Sequence, residues 1–187
     1  MAPVETQSRG EELLDRLIEL YLAEGFLAFG MGELAARLRC SRTTLYLVAS
    51  SKEQIIRTAV RRYFQRAAER IEARVETEPD TGRRLQVYLA AVSDELAPAS
   101  AQFHADVAEY APARELYQDN TRHAAQRVQD LVAAAVKART LRPVNARFVG
   151  AAVAEVMTAI QSGRIGAATG LSDAAAYRAL SDTFLTP

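Results

Sequence analysis

Between Arg39 and Lys52 the chain concentrates side chains that can donate hydrogen bonds: Arg39, Ser41, Arg42, Thr43, Thr44, Tyr46 and Lys52, with Leu47 among them. An arginine can grip the edge of a guanine with two parallel N–H groups. A threonine hydroxyl can meet a base edge or a phosphate oxygen, and a lysine brings a compact positive charge. Residues 33–62 hold seven basic groups (Arg37, Arg39, Arg42, Lys52, Arg57, Arg61, Arg62) against two acidic ones (Glu33, Glu53), a surplus of five in a chain whose formal net charge is zero. A local basic patch on a neutral protein is the electrostatic footprint of a phosphate-binding surface. Double-stranded DNA is the partner this chemistry predicts.

A second group could do acid–base work: His104-x-Asp106, with Glu109. Catalysis would also need a nucleophile or a metal and a partner to orient the imidazole, and the sequence supplies neither. It has no glycine-rich phosphate loop. His104 between Phe103 and Val107 reads instead as a core or pocket-lining residue, so no enzyme is expected. His104, His123 and Cys40 lack metal-ligand spacing, so no metal or other cofactor is expected. A single cysteine allows no internal disulfide, and Cys40 reads as a small filler of a tight turn.

The basic stretch must be carried by short helices. Leu34, Ala35 and Leu38 recur at helical spacing and share one face. Arg39-Cys40-Ser41 interrupts that face. Ser41 can then cap a second helix, Arg42 to about Val48, anchored inward by Leu45. Two short helices, a tight turn and a second helix that opens with donors form a helix-turn-helix. Before it, Gly10 to Glu24 reads as an amphipathic helix with Leu13, Leu14, Leu17, Leu20 and Tyr21 on its buried face, closed by Gly25. After it, Ser51 and Gln54 form a capping box that starts a long helix running to about Thr77.

The string Leu22-Ala-Glu-Gly25, Glu33-Leu34-Ala35, Ser41-x-x-Thr44-Leu45-Tyr46, Ser51-Lys52-Glu53-x-Ile55 resembles the N-terminal domain of the tetracycline-repressor-like (TetR) family of bacterial transcription regulators, over residues 10–64. The chain departs from the family pattern at several points. Leu38-Arg39-Cys40 stands where Ala-Gly-Val is usual, Thr43 where Gly is frequent, Val48 for a His or aromatic, Ala49 for a Phe, and Gly30 for a Thr.

The remaining two thirds of the chain is helical in pattern. With 187 residues, about half of them hydrophobic, there is ample material for a core, and no alternating run suggests a strand. Breakers at Glu78–Gly82, Pro98, Pro112 and Pro143 divide it into further helices, about nine in all. The expected architecture is all-α: a helix-turn-helix domain over residues 1–50, then a helical ligand-binding and dimerisation bundle over 51–187. Met1 to Ser8 lacks the apolar core of a signal peptide, and the longest apolar run, Phe148 to Ile160, is short of a membrane span. A cytoplasmic location is expected, with no membrane partner.

The resemblance implies a homodimer built through the last two long helices, with Phe148, Gly150, Ala151, Ala154, Tyr177, Leu180 and Phe184 at the interface. It also implies a small-molecule site in the C-terminal domain. Tyr88, Val92, Phe103, His104, Val107, Tyr110, Tyr117, His123, Arg127, Val153 and Met157 could line it and would suit a moderately apolar or aromatic effector. The function expected is a ligand-responsive regulator, a repressor that binds an inverted-repeat operator as a homodimer. Two alternatives stand beside it: a dimeric DNA-binding regulator without a ligand, and, remotely, a helical enzyme using His104.

Overall fold

A computed structural model describes residues 3–183, with side chains described from residue 9 onward. All regular structure among them is helical: α1 (Pro3–Glu24), α2 (Met31–Arg37), α3 (Arg42–Leu45), α4 (Lys52–Glu76), α5 (Arg84–Leu96), α6 (Ala101–Glu109), α7 (Ala111–Lys137), α8 (Ala146–Gln161), α9 (Arg164–Thr169) and α10 (Asp173–Asp182). The all-α expectation is met, with one more helix than the sequence suggests. Gly163, at φ 73°, ends the α8 segment, and Gly170, at φ 74°, closes the short α9. Both are left-handed conformations that glycine adopts without a Cβ penalty.

Element boundaries shift where local hydrogen bonding outweighs hydrophobic pattern. α1 begins at Pro3, so Gly10 lies inside it rather than at its start. The second helix of the turn motif is regular only to Leu45. Beyond it the Leu47 and Val48 N–H groups donate to Thr44 and Leu45, a tighter turn than α-helix. At the start of α4, Ser51 Oγ accepts from the Gln54 N–H at 3.2 Å, but the Gln54 side chain reaches one residue further back than a capping box requires. Its Oε1 accepts from Ser50 Oγ at 2.6 Å and Ser50 N–H at 3.3 Å.

The chain packs as two units, and the division falls within α4 and within α7. The first takes the chain up to Gln65 together with 99–116; the second takes 66–98 and the chain from Tyr117 onward. In the first unit, Leu17, Phe26, Leu34, Leu45 and Ile55 are fully buried around an aromatic centre. Phe103 of α6 meets Phe26 and Tyr63 edge-on, each at 6.0 Å between ring centres. Burying such side chains contributes about 1.5–3 kcal/mol each, and this core fixes the platform on which α2 and α3 sit. The Tyr21 hydroxyl is buried there with no hydrogen-bond partner among the described residues.

In the second unit, Ile71 and Val75 of α4 pack with Leu89, Val128, Leu131, Val153, Met157, Ile160 and Tyr177. α10 lies against α5 and α8. Two hydroxyls stitch α5 and the α10 segment together: Ser93 donates to the Ala174 carbonyl at 2.9 Å and Ser181 to that of Gln86 at 3.3 Å. No helix of the described residues is long and apolar enough to cross a membrane.

Candidate nucleic-acid interface

The turn between α2 and α3 is closed by backbone. The Cys40 N–H donates to the Ala35 carbonyl at 2.9 Å, and Arg39 takes φ 49°, a left-handed conformation in which a side chain is unfavourable. This is the position where the family pattern has glycine. Ser41 then caps α3, its Oγ accepting from the Thr44 N–H at 3.0 Å. The Thr44 hydroxyl sits 2.7 Å from Ser41 Oγ and is therefore already engaged within the cap. Leu45 is fully buried and pins α3 to the core.

What remains outward is a compact set. Arg39, Ser41, Arg42, Thr43, Tyr46 and Leu47 are exposed; Tyr46 and Leu47 are 50% and 46% accessible, unusual for large apolar side chains. Arg42 does not project freely. Its guanidinium lies over Gly32, where a Cβ would come within 2.7 Å of Nη2. Part of the basic surplus is committed internally. Arg37 pairs with Glu24 and stacks 5.7 Å above the Phe29 ring; outside that surplus, Arg16 Nη2 donates to the Leu38 carbonyl. Lys52 is also engaged: its ammonium donates to the Leu27 carbonyl at 3.0 Å. An ammonium has three donors, so that bond leaves two. Arg57 and Arg61 of α4 are exposed.

The acid–base grouping does not assemble as a catalytic site. Asp106 is only 3% exposed, and its carboxylate is consumed by structure. Oδ2 accepts from the backbone N–H groups of Phe26 and Leu27 at 2.5 and 2.8 Å, and Oδ1 from Gln102 Nε2 at 2.7 Å. Glu109 is exposed and His104 half-buried. Nothing in the sequence pattern points to Asp106 as the anchor of a loop 80 residues away, because its partners are backbone groups that any residue carries. Among the described residues no cluster of His, Cys, Asp and Glu could hold a metal ion.

The residues expected around an effector fall in both units. Phe103, Val107 and Tyr110 belong to the first, with His104. Phe103 also borders a cavity of about 10 Å³, shared with Ile18, Tyr21, Leu22, Ala59, Val60 and Tyr63, which is water-sized at most. In the second unit Tyr88, Val92, Tyr117, Val153 and Met157 are buried, whereas His123 is exposed on α7. Arg127 grips Glu72 with two nitrogens at 2.7–3.1 Å, and this hydrogen bonding raises its pKa. Burial pushes the Tyr88 hydroxyl up, and the Glu72 carboxylate adds to the shift. A polar chain crosses this core: Gln161 Nε2 donates to the Tyr177 hydroxyl at 2.9 Å and lies 3.0 Å from the Thr121 hydroxyl.

The expected dimer residues divide in the same way. Phe148 is 71% exposed and Ala151 is exposed; Ala154 and Leu180 are half-buried. Tyr177 is fully buried inside the second unit, and Gly150 lies under the Gln129 side chain, which a Cβ would strike. Those two residues serve the unit's own packing rather than an outer face. Phe184 lies outside the described residues.

No protein-family model matches the sequence, and no curated protein sequence matches it. Solved structures do match over nearly the whole length. A candidate transcriptional regulator from Saccharomonospora viridis, solved in complex with choline, superposes with a TM-score of 0.74 at 18% identity, covering 96% of each chain. A TetR/AcrR-family transcriptional regulator from Thermobifida fusca gives 0.69 at 18% identity, covering 96% of this chain and 97% of that one. The fatty acid degradation regulator of Bacillus halodurans gives 0.69 at 11% identity, with 95% and 94% covered. A helix-turn-helix on a three-helix platform, continued by a helical second unit, gives this chain the fold of the TetR/AcrR transcriptional regulators.

Proposed function

We propose that this chain is a DNA-binding transcription regulator that acts as a homodimer, represses from an inverted-repeat operator and is released by a small molecule. The observation that carries the DNA-binding reading is the exposed set Arg42, Thr43, Tyr46 and Leu47, presented by a capped helix whose single anchor, Leu45, is fully buried. Side chains at the start of such a helix reach base edges in the major groove, while flanking cations contact phosphate. Residues 1–50 would carry the reading surface and 51–187 the effector site and dimer contacts. The exposed Phe148 with Ala151 supports a dimer surface on α8.

Ligand control is supported by the company the fold keeps, since one neighbour was solved with choline and another is a fatty acid degradation regulator. A moderately apolar or aromatic effector suits the buried Tyr88, Val92, Tyr117 and Met157. No enzymatic role is assigned, because the Asp106 carboxylate beside His104 is occupied by backbone N–H groups.

The test has two stages. Selection from random duplex DNA should return an approximate inverted repeat. An effector found by thermal-shift screening should then bind more weakly when operator is present, by the same factor, roughly 5–150-fold, by which it weakens DNA binding. Equal effector affinity with and without operator would rule out ligand control.

A further inference from the structure

Three contacts in the first unit form a line from α6 to the first residue of α4. Asp106, buried in α6, accepts the Phe26 and Leu27 N–H groups on one carboxylate oxygen. Leu27 in turn offers its carbonyl to the Lys52 ammonium at 3.0 Å. The Ser100 N–H, at the head of α6, donates to the Leu22 carbonyl at 2.8 Å and fixes the other side of the same loop. The loop is built for this approach. Gly25 takes φ 78°, and a Cβ there would lie 2.5 Å from Asp106 Oδ2, so the carboxylate fits only against a residue with no side chain.

We propose that Asp106 is a positioning residue for DNA binding: it fixes Leu27, whose carbonyl holds the Lys52 ammonium ready for a phosphate. This deepens the proposed function and rests on its DNA-binding reading. A free lysine loses rotamer freedom when it engages a phosphate, and a lysine already held by one acceptor loses less. The bond to Leu27 leaves two ammonium donors for phosphate oxygens. One carboxylate oxygen accepts two consecutive N–H groups, so a single side chain fixes both residues of the loop. Any displacement of α6 would thereby reach Lys52 through Leu27.

The test uses the full chain and its selected duplex, with affinity measured across salt concentrations at a temperature where circular dichroism shows every variant folded. Lys52→Ala should weaken binding severalfold and reduce the log–log salt slope by about one. Asp106→Ala should reproduce that loss of slope, and the double variant should be no weaker than Lys52→Ala alone. Asp106→Asn keeps an acceptor for both N–H groups and should bind close to wild type. Amide exchange at Phe26 and Leu27 gives a readout that needs no DNA: both should be protected in wild type and Asp106→Asn and should exchange rapidly in Asp106→Ala. An Asp106→Ala protein with the wild-type salt slope, an additive double variant, or undiminished amide protection would overturn the proposal. A wild type that binds no duplex would overturn this proposal and the DNA-binding reading together, whereas a wild type that binds while Asp106→Ala keeps full slope would overturn only the former.

Discussion

Arg42 folds its guanidinium across Gly32, one helix back, where any larger residue would collide with Nη2 at 2.7 Å. The main candidate for reading a base thus packs its guanidinium against α2. Arg42→Ala should cost about 1–3 kcal/mol of operator binding and relax preference at one base pair. Gly32→Ala meets only the tip of a flexible side chain, so it should leave the melting temperature almost unchanged while displacing Arg42. Selection of bound duplexes by the Gly32→Ala protein should give an altered preference at the same base pair. An identical preference would show that this packing is irrelevant to reading.

Arg39 carries a backbone cost in the turn, at φ 49°. Arg39→Gly should raise stability by about 0.5–1 kcal/mol in urea unfolding, the left-handed penalty less the extra freedom glycine brings to the unfolded chain. If Arg39 also touches a phosphate, the same variant should lose about one unit of salt slope while gaining stability. A destabilised Arg39→Gly protein would contradict the assignment of strain.

The dimer is best tested at Phe148, because a Gly150→Arg variant would strike Gln129 and damage the unit's own packing. Phe148→Asp replaces a 71% exposed ring and should leave helical content intact. It should shift sedimentation from dimer to monomer and greatly weaken operator binding. A wild type already monomeric at micromolar concentration would remove the homodimer from the reading.

Alkaline pH offers a test of the buried tyrosines. Burial holds the hydroxyls of Tyr21, Tyr88 and Tyr177 above the ordinary tyrosine value of 10.0. The folded chain then keeps protons that the unfolded chain releases, so stability is full below pH 10 and falls as pH rises beyond it. Calorimetric melting temperatures should be level up to that point and decline above it. Tyr21→Phe removes a buried hydroxyl that lacks a partner, and it should raise stability by about 1 kcal/mol at neutral pH while flattening the alkaline decline.

The helix-turn-helix was legible because its signals are local. Leu34, Ala35 and Leu45 mark the buried face within a dozen residues, and Ser41 announces the cap at the position where it forms. The end of α3 was not legible, since the change from α-helical to tighter hydrogen bonding at Leu47 and Val48 leaves no apolar pattern. Asp106 was visible as a titratable residue near His104, but its work was hidden: backbone N–H groups have no sequence signature. The engagement of Lys52 is hidden for the same reason, its partner being the Leu27 carbonyl. On α8, hydrophobic pattern alone could not tell the exposed Phe148 from the buried Gly150, because an apolar helix offers apolar residues on every side.

The contact between Asp106 and the loop at Gly25 also governs how relatives of this protein can drift. Phe26 and Leu27 lend only their N–H groups to the carboxylate, so these bonds ask nothing of either side chain, although the aromatic core separately holds the Phe26 ring. Gly25 cannot change, since the first carbon of any side chain would occupy the carboxylate's space. In a set of descendant sequences, substitution at 25 should therefore accompany loss of the acid at 106, while Leu27, which lends the acid only an N–H group, varies independently of it. Covariation would link 106 to the glycine that makes room for it and to Gln102, and be silent about its backbone hydrogen-bond donors.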